Sequence, residues 1–173
     1  MERIAATPRV RHFILHARRA ATGGARPLNC NVRRYKMLLR NFELMNIDLA
    51  VGESIYDLHN DFSFAGFAYD LPTRELELRW LKGTGDWVSK ESPSEIRITI
   101  CGVSYLAVLP RDPDMPYTED DCLNCVSVVE ASQPTESAFI TAATPENDLH
   151  YVFRFMSGFV LRVQAQEATC STA

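Results

Sequence analysis

Residues 61–82 read DFSFAGFAYDLPTRELELRWLK, and this stretch decides the fold. In its second half, Leu76, Leu78 and Trp80 alternate with charged residues, which is the period of two that is typical of a strand with one buried face. In its first half, the aromatic residues change phase at Gly66, where a β-bulge would reset the alternation. The letters LPT between the two runs indicate a turn. The stretch therefore predicts a β-hairpin.

The same alternation recurs along the chain. Residues 94–109 form the longest strand-like run, with a bend or bulge indicated at Gly102 and apolar residues on both phases beyond it, which predicts a central strand covered on two sides. Four further runs rich in Val, Ile, Phe and Thr are residues 122–130, 137–143, 148–156 and 159–166. The spacing of apolar residues predicts one short amphipathic N-terminal helix within residues 32–49 and a second, shorter one over 53–59. Together these patterns predict a mainly β, or β-rich α+β, fold: a single antiparallel sandwich or open barrel of about seven strands with one N-terminal helix.

Charge divides the chain into two parts. Residues 1–40 carry ten Lys/Arg against one Glu, a net charge of +9, whereas residues 41–173 carry eight Lys/Arg against twenty-one Asp/Glu, a net charge of −13. We therefore expect a basic, poorly ordered leader over residues 1–40, a β-rich globular domain over 41–167 and a tail over 168–173.

The composition of the leader leaves three interpretations open. Its arginines resemble those of a transit peptide, but no serine occurs before Ser54. A basic arm would hold phosphates without sequence specificity, but this one lacks interleaved aromatic residues, so we expect no specific nucleic-acid partner. We favour the third interpretation, an extension that lies upstream of a natural start at Met37 or Met45.

Composition also excludes several classes of protein. With 46% hydrophobic residues, the chain can bury a sizeable core, so an acidic disordered protein is excluded. No apolar run approaches the roughly 20 residues that a membrane span needs. Five cysteines without a signal peptide indicate free thiols in a reducing compartment, and we expect a cytoplasmic location. No P-loop, dinucleotide-binding, zinc-protease or serine-hydrolase motif is present, and we expect no cofactor.

Residues 110–121 read PRDPDMPYTEDD and are the most acidic loop of the chain. Oxygen ligands in a loop suggest calcium, but two prolines interrupt this one and the glycine of an EF-hand is missing. We expect a solvated acidic loop that faces a basic partner. Trp87, in the predicted loop 83–94, is either an exposed interface anchor or a side chain folded back over the sheet edge. The predicted partner-binding residues are Trp87, Asp112, Asp114, Glu119, Asp120 and Asp121.

Two other groups of residues have chemical potential. Cys122 and Cys125 form a C-x-x-C, but in a strand these positions point to opposite faces, so we favour structural thiols over a metal or redox site. Asp57, His59 and Asp61 would share one face of an extended segment, where the histidine could act as a general base. Residues of this kind also cap ordinary turns, and we favour that interpretation.

Three stretches carry a resemblance to a known type of protein. They are Leu58-His-Asn-Asp61 entering the first strand, the IRITI strand that begins at Ile96 and is followed by CGV, and FRFMSGFVL from Phe153 to Leu161. In this order they resemble the small, acidic, β-rich bacterial proteins of unknown or immunity-type function that are found beside secreted toxins. The resemblance spans residues 45–167 and implies a non-enzymatic protein that binds and blocks a toxin. The basic leader departs from that type, and no catalytic residue is implied.

We therefore expect a non-enzymatic protein-binding module, an immunity-like inhibitor that binds a basic protein partner through acidic loops. We expect no membrane partner, no metal site and no catalytic residues. One alternative is a small enzyme or metal-binding protein that uses the Asp57/His59/Asp61 cluster or Cys122 and Cys125. A second alternative is a β-barrel whose Phe and Tyr side chains line a cavity for a small ligand. The oligomeric state stays open.

Overall fold

A computed structural model of the chain describes residues 36–131 and 149–173. These residues form twelve β-strands and one short 3-10 turn, Tyr117–Glu119, and within them there is no α-helix. The strands are β1 Leu38–Leu39, β2 Glu43–Met45, β3 Asp48–Val51, β4 Ser54–Asp57, β5 Phe62–Asp70, β6 Glu75–Lys82, β7 Glu95–Cys101, β8 Tyr105–Leu109, β9 Leu123–Glu130, β10 Leu149–Phe155, β11 Val160–Gln164 and β12 Glu167–Thr172. The prediction of a mainly β fold is confirmed.

The predicted hairpin forms one side of a five-stranded sheet of order β1-β12-β7-β6-β5. Strands β5 and β6 pair antiparallel, and their register shifts between Phe64 and Gly66, which confirms the predicted bulge. Gly66 has a φ of 125°, a conformation that L side chains rarely adopt. Because the bulge inserts one residue, Phe67 lies opposite Leu78 just as Phe64 lies opposite Trp80, so both aromatic side chains share the inner face.

A second, four-stranded antiparallel sheet of order β8-β11-β10-β9 contributes to the same core. Phe64 and Trp80 on the first sheet pack with ring centroids 5.0 Å apart, and Phe155 on the second lies 4.5 Å from Phe64. Trp80 also contacts Phe153, with ring centroids 6.4 Å apart. Because these side chains are fully or almost fully buried, they hold the two sheets together by the removal of apolar surface from water. In the described part of the chain neither sheet closes into a barrel.

A third sheet, β2-β3-β4, replaces the predicted helices. The prediction of a helix over residues 32–49 is wrong for the described residues 36–49, and so is that of a helix over 53–59. Asn46 and Gly52 adopt φ angles of 63° and 60° and close two-residue turns after β2 and β3. Such turns reverse the chain every few residues, so the apolar side chains reach the core from strands and connections rather than from one helix face.

The segment after Gly102 also differs from expectation. Beyond Gly102 the chain leaves the five-stranded sheet, and β8 lies at the edge of the four-stranded sheet, paired with β11. Tyr105 and Val108 are 41% and 46% exposed, so the prediction of a centrally covered strand is wrong. The bend at Gly102 itself is confirmed by its φ of 67°.

The first and the last strand of the described chain, β1 and β12, both belong to the five-stranded sheet. Residues 168–173, expected to be a tail, form most of β12, which lies between β1 and β7 and buries Ala168 and Cys170. Strand β1, which lies within the expected leader, pairs parallel to β12. Residues 1–35 and the predicted strand 137–143 lie outside the described residues. Across the described ranges, no helix has the length and apolar character needed to cross a membrane.

Candidate functional site

A pocket of about 280 Å³ lies where the β4–β5 turn, the β6–β7 connection and the segment before β9 meet. Its walls include His59, Gly85, Trp87, Asp121 and Cys122. Four of these residues come from three separate features of the sequence: the titratable cluster before β5, the loop tryptophan, and the segment in which the acidic loop meets the C-x-x-C. We refer to these five residues and the loop 110–121 together as the Trp87 corner.

Asp57 shapes the turn that forms one wall of the pocket. Its Oδ1 accepts hydrogen bonds from the backbone N–H groups of His59 and Asn60, each at 2.9 Å, and its Oδ2 accepts one from Asn60 Nδ2 at 2.7 Å. Burial acts to raise the pKa of Asp57, but the hydrogen bonds from Asn60 and His59 outweigh it and hold the pKa below its ordinary value. The Asp57 carboxylate therefore caps a turn, and its hydrogen bonds reach the backbone of His59.

The ring of His59 is held by the chain on the other side of the pocket. Its Nδ1 lies 2.6 Å from the carbonyl oxygen of Leu123, and because a carbonyl can only accept, Nδ1 carries the proton. Cys122 Sγ lies 3.4 Å from the same Nδ1. Since that nitrogen already donates to Leu123, it cannot take the thiol proton, and the two side chains do not form a base–nucleophile pair.

The electrostatics of Cys122 agree with this geometry. Burial raises the pKa of its thiol, and the nearby carboxylates of Glu119, Asp121 and Asp57 raise it further. A reactive cysteine needs the opposite surroundings, with cations that stabilise a thiolate. Cys122 is therefore a protonated thiol in a negatively charged pocket wall.

Cys125 lies on β9 opposite Arg154 of β10, whereas Cys122 contacts His59. The four described cysteines are free thiols. Among the residues that the structure describes, no three His, Cys, Asp or Glu side chains are grouped so as to hold a metal ion.

Trp87 is both exposed and fixed. It is 75% exposed, yet its Nε1 donates a hydrogen bond to the carbonyl oxygen of Asn60 at 3.2 Å. Its ring also lies directly against Gly85, where an added Cβ would stand 2.4 Å from the nearest ring atom. A side chain at position 85 would displace the ring, so glycine there is a condition of this arrangement. Gly85 is one of the pocket residues that the sequence analysis does not single out. The signal that could have found it is a glycine two positions before a tryptophan in a loop.

The acidic loop is tied to the sheets by its own backbone. Asp112 N–H donates to the carbonyl oxygen of Ser157 at 2.7 Å, and Ser157 N–H donates to that of Glu119 at 3.2 Å. Phe64 N–H on β5 donates to the carbonyl oxygen of Asp121 at 2.8 Å. These bonds fix the end of the loop beside the pocket.

The five predicted acidic residues occupy different surroundings. Arg111 pairs with Asp120 at 2.7 Å, donates to the carbonyl oxygen of Met115, and lies 4.4 Å from the ring centroid of Tyr117. Asp112 and Asp114 are exposed, and Asp112 Oδ1 accepts a hydrogen bond from the backbone N–H of Asp114 at 2.9 Å. The structure therefore brings Asp121 together with Trp87 at the pocket, but it engages Asp120 with a cation of the same loop.

A larger groove, of about 840 Å³, runs along residues 36–45 and includes Tyr151 and Val128 in its walls. It is formed by the backbone and side chains around β1 and β2, at the edge of the sheets. This groove lies at a sheet edge, so it is not the aromatic-lined cavity inside a barrel that the second alternative predicts.

Comparison with known proteins found no matching family model, no similar curated protein and no similar solved structure.

Proposed function

We propose that the chain is a non-enzymatic protein-binding module that recognises a basic partner through the Trp87 corner. The observation that carries this proposal is an exposed tryptophan held in place by Asn60 and Gly85 beside Asp121. Large aromatic side chains supply much of the binding energy in protein interfaces. A side chain that is ordered before binding loses less conformational entropy when the complex forms.

The charge of the corner supports a basic partner. Burial raises the pKa of the Cys122 thiol in the pocket wall, and the nearby carboxylates of Glu119 and Asp121 raise it further, which supports a negatively charged pocket. Arg111, the cation of the acidic loop, is already engaged with Asp120. A surface with excess negative charge steers a positively charged protein towards it and speeds the encounter.

An immunity-like inhibitor of a secreted toxin, acting in the cytoplasm, is the narrower form of this proposal. This narrower proposal is supported by the resemblance described above and by the acidic loop. In it, the basic partner is a toxin.

The test compares four versions of the full chain as bait in an extract of the source organism. They are the wild type, Trp87→Ala, a triple variant of the corner (Asp112→Lys, Asp114→Lys and Asp121→Lys) and a control triple variant (Glu43→Lys, Glu53→Lys and Glu75→Lys). The control makes the same change in net charge at exposed positions outside the corner. We expect a basic protein to be retained by the wild type and the control and lost from both corner variants, with unchanged circular dichroism. Equal retention by all four would contradict the proposal.

A further inference from the structure

We propose that the pocket of the Trp87 corner takes one arginine side chain of the partner, with the guanidinium against the Trp87 ring and its charge balanced by Asp121. This inference rests on the proposed function and names the chemical group that the pocket recognises.

The size of the pocket fits a single side chain. Its volume of about 280 Å³ lies just below the roughly 300–1,000 Å³ of sites for small-molecule ligands. Two of its wall residues, Gly83 and Gly85, have no side chain, while Phe62 and Trp87 supply aromatic surface. A flat, partly apolar group with a charged end matches these walls better than a large polar ligand does.

The negative charge of the pocket wall favours the binding of a cation. The described residues that line it include Asp121 but no Lys or Arg. Lys82, at the end of β6, donates to the carbonyl oxygens of Lys90 and Ser92, each at 3.0 Å. Its ammonium group is thus engaged within the β6–β7 connection. Among residues 36–131 and 149–173, no cation lines the pocket to balance the charge of Asp121, and we infer that a partner's cation does so.

Two features favour guanidinium over ammonium. A planar guanidinium stacks on an aromatic ring and is less strongly hydrated than the lysine head group. The acidic loop already shows this arrangement, since the guanidinium carbon of Arg111 lies 4.4 Å from the Tyr117 ring centroid.

The test uses N-acetyl-arginine amide as a probe of the full chain, with the citrulline analogue as its uncharged isostere and the lysine analogue as the second cation. Two measurements report on the pocket. The first is acrylamide quenching of tryptophan fluorescence, which reports on Trp87 because Trp80 is fully buried and inaccessible to the quencher. The second is alkylation of Cys122, followed by mass spectrometry. We expect the arginine probe to protect both residues at millimolar concentration. We expect the citrulline analogue to bind at least about fivefold more weakly, and lysine to fall between them.

Variants separate the pocket from the rest of the corner. Because Trp87→Ala removes the fluorophore, it is read by Cys122 alkylation, and we expect arginine to protect that thiol about threefold to fivefold less well. Asp121→Asn should weaken protection to a similar extent, while Glu53→Gln, at an exposed position outside the corner, should leave it unchanged.

The outcomes distinguish this inference from the proposed function. If the arginine probe protects neither residue, or citrulline protects as well as arginine, the inference is overturned, and loss of a basic partner from the corner variants would still uphold the proposed function. If arginine protects both residues but no variant affects partner capture, the pocket chemistry is upheld and the proposed function fails.

Discussion

The outer face of the five-stranded sheet and the Trp87 corner both carry many charges, but they use them differently. On the sheet, Arg79 and Arg97 lie directly opposite each other in the register, where like charges repel. Glu95 bridges them, at 3.2 Å from Arg79 and 2.5 Å from Arg97, and Glu77 lies 3.4 Å from Arg97. The hydrogen bond from Arg97 lowers the pKa of Glu95, so both members of the pair stay charged.

At the corner, the acidic residues greatly outnumber their cations. Arg111 pairs with Asp120, and within the described residues Asp112, Asp114, Glu119 and Asp121 form no ion pair. The sheet face therefore neutralises its charges internally, as a solvated structural surface does, whereas the corner keeps an excess of carboxylates. This difference is the physical reason to look for a partner at the corner rather than at the sheet.

The two tryptophans give the sharpest version of the comparison. Trp80 is fully buried against Phe64 and Phe153, while Trp87 is 75% exposed. We expect Trp80→Ala to lower the free energy of unfolding by about 3–5 kcal/mol, because it leaves a cavity in the core. Trp87→Ala should lower it by no more than about 1 kcal/mol, since it removes one exposed hydrogen bond. Urea denaturation followed by circular dichroism measures both values, and similar losses would remove the distinction between core and corner.

The buried thiol Cys170 gives the core a dependence of its stability on pH. Burial raises its pKa from 9.0 to about 11. Because the folded pKa is the higher one, the contribution of the thiol to stability is complete below pH 9.0 and is lost as the pH rises towards 11. The shift corresponds to about 2–3 kcal/mol. We expect Cys170→Ala to flatten the alkaline loss of stability in urea titrations across this range.

Cys122→Ala is the matched control for that titration, since Cys122 is a free thiol that is less buried than Cys170. Groups that titrate in both proteins cancel in the difference between variant and wild type. An unchanged alkaline slope in Cys170→Ala would show that the Cys170 thiol is not held in the core as described.

The fold could be predicted where the sequence pattern that determines it lies within a few neighbouring residues. The β5–β6 hairpin follows from alternation and from Gly66, because both are read within a few residues. The region 36–57 was misread because apolar residues three or four positions apart suit a helix as well as short strands, and the turns at Asn46 and Gly52 decide between them. Strand β12 was missed because its inward side chains, Ala168 and Cys170, are small and give a weak hydrophobic signal.

The candidate site could be predicted only in pieces. Trp87, Asp121, His59 and Cys122 each attracted attention for their own chemistry, but they lie up to 63 positions apart along the chain. What joins them is the tertiary structure, in particular the hydrogen bond from Phe64 N–H to the carbonyl oxygen of Asp121. A contact of that kind has no signature in a single sequence.

Two glycine substitutions separate the effect of backbone strain from that of side-chain displacement. Gly66→Ala in the sheet has free space around the new methyl group, but its φ of 125° is strained for alanine, so we expect a loss of about 1–2 kcal/mol in stability. Gly85→Ala places the methyl group against the Trp87 ring instead. Because that ring is exposed and able to move, the free energy of unfolding should change by about 0.5 kcal/mol or less. Acrylamide quenching of Trp87 should nevertheless increase and partner capture should fall, since the ring loses its fixed position. If Gly85→Ala leaves both unchanged, the ordering of Trp87 contributes nothing to recognition, and the corner binds by charge alone.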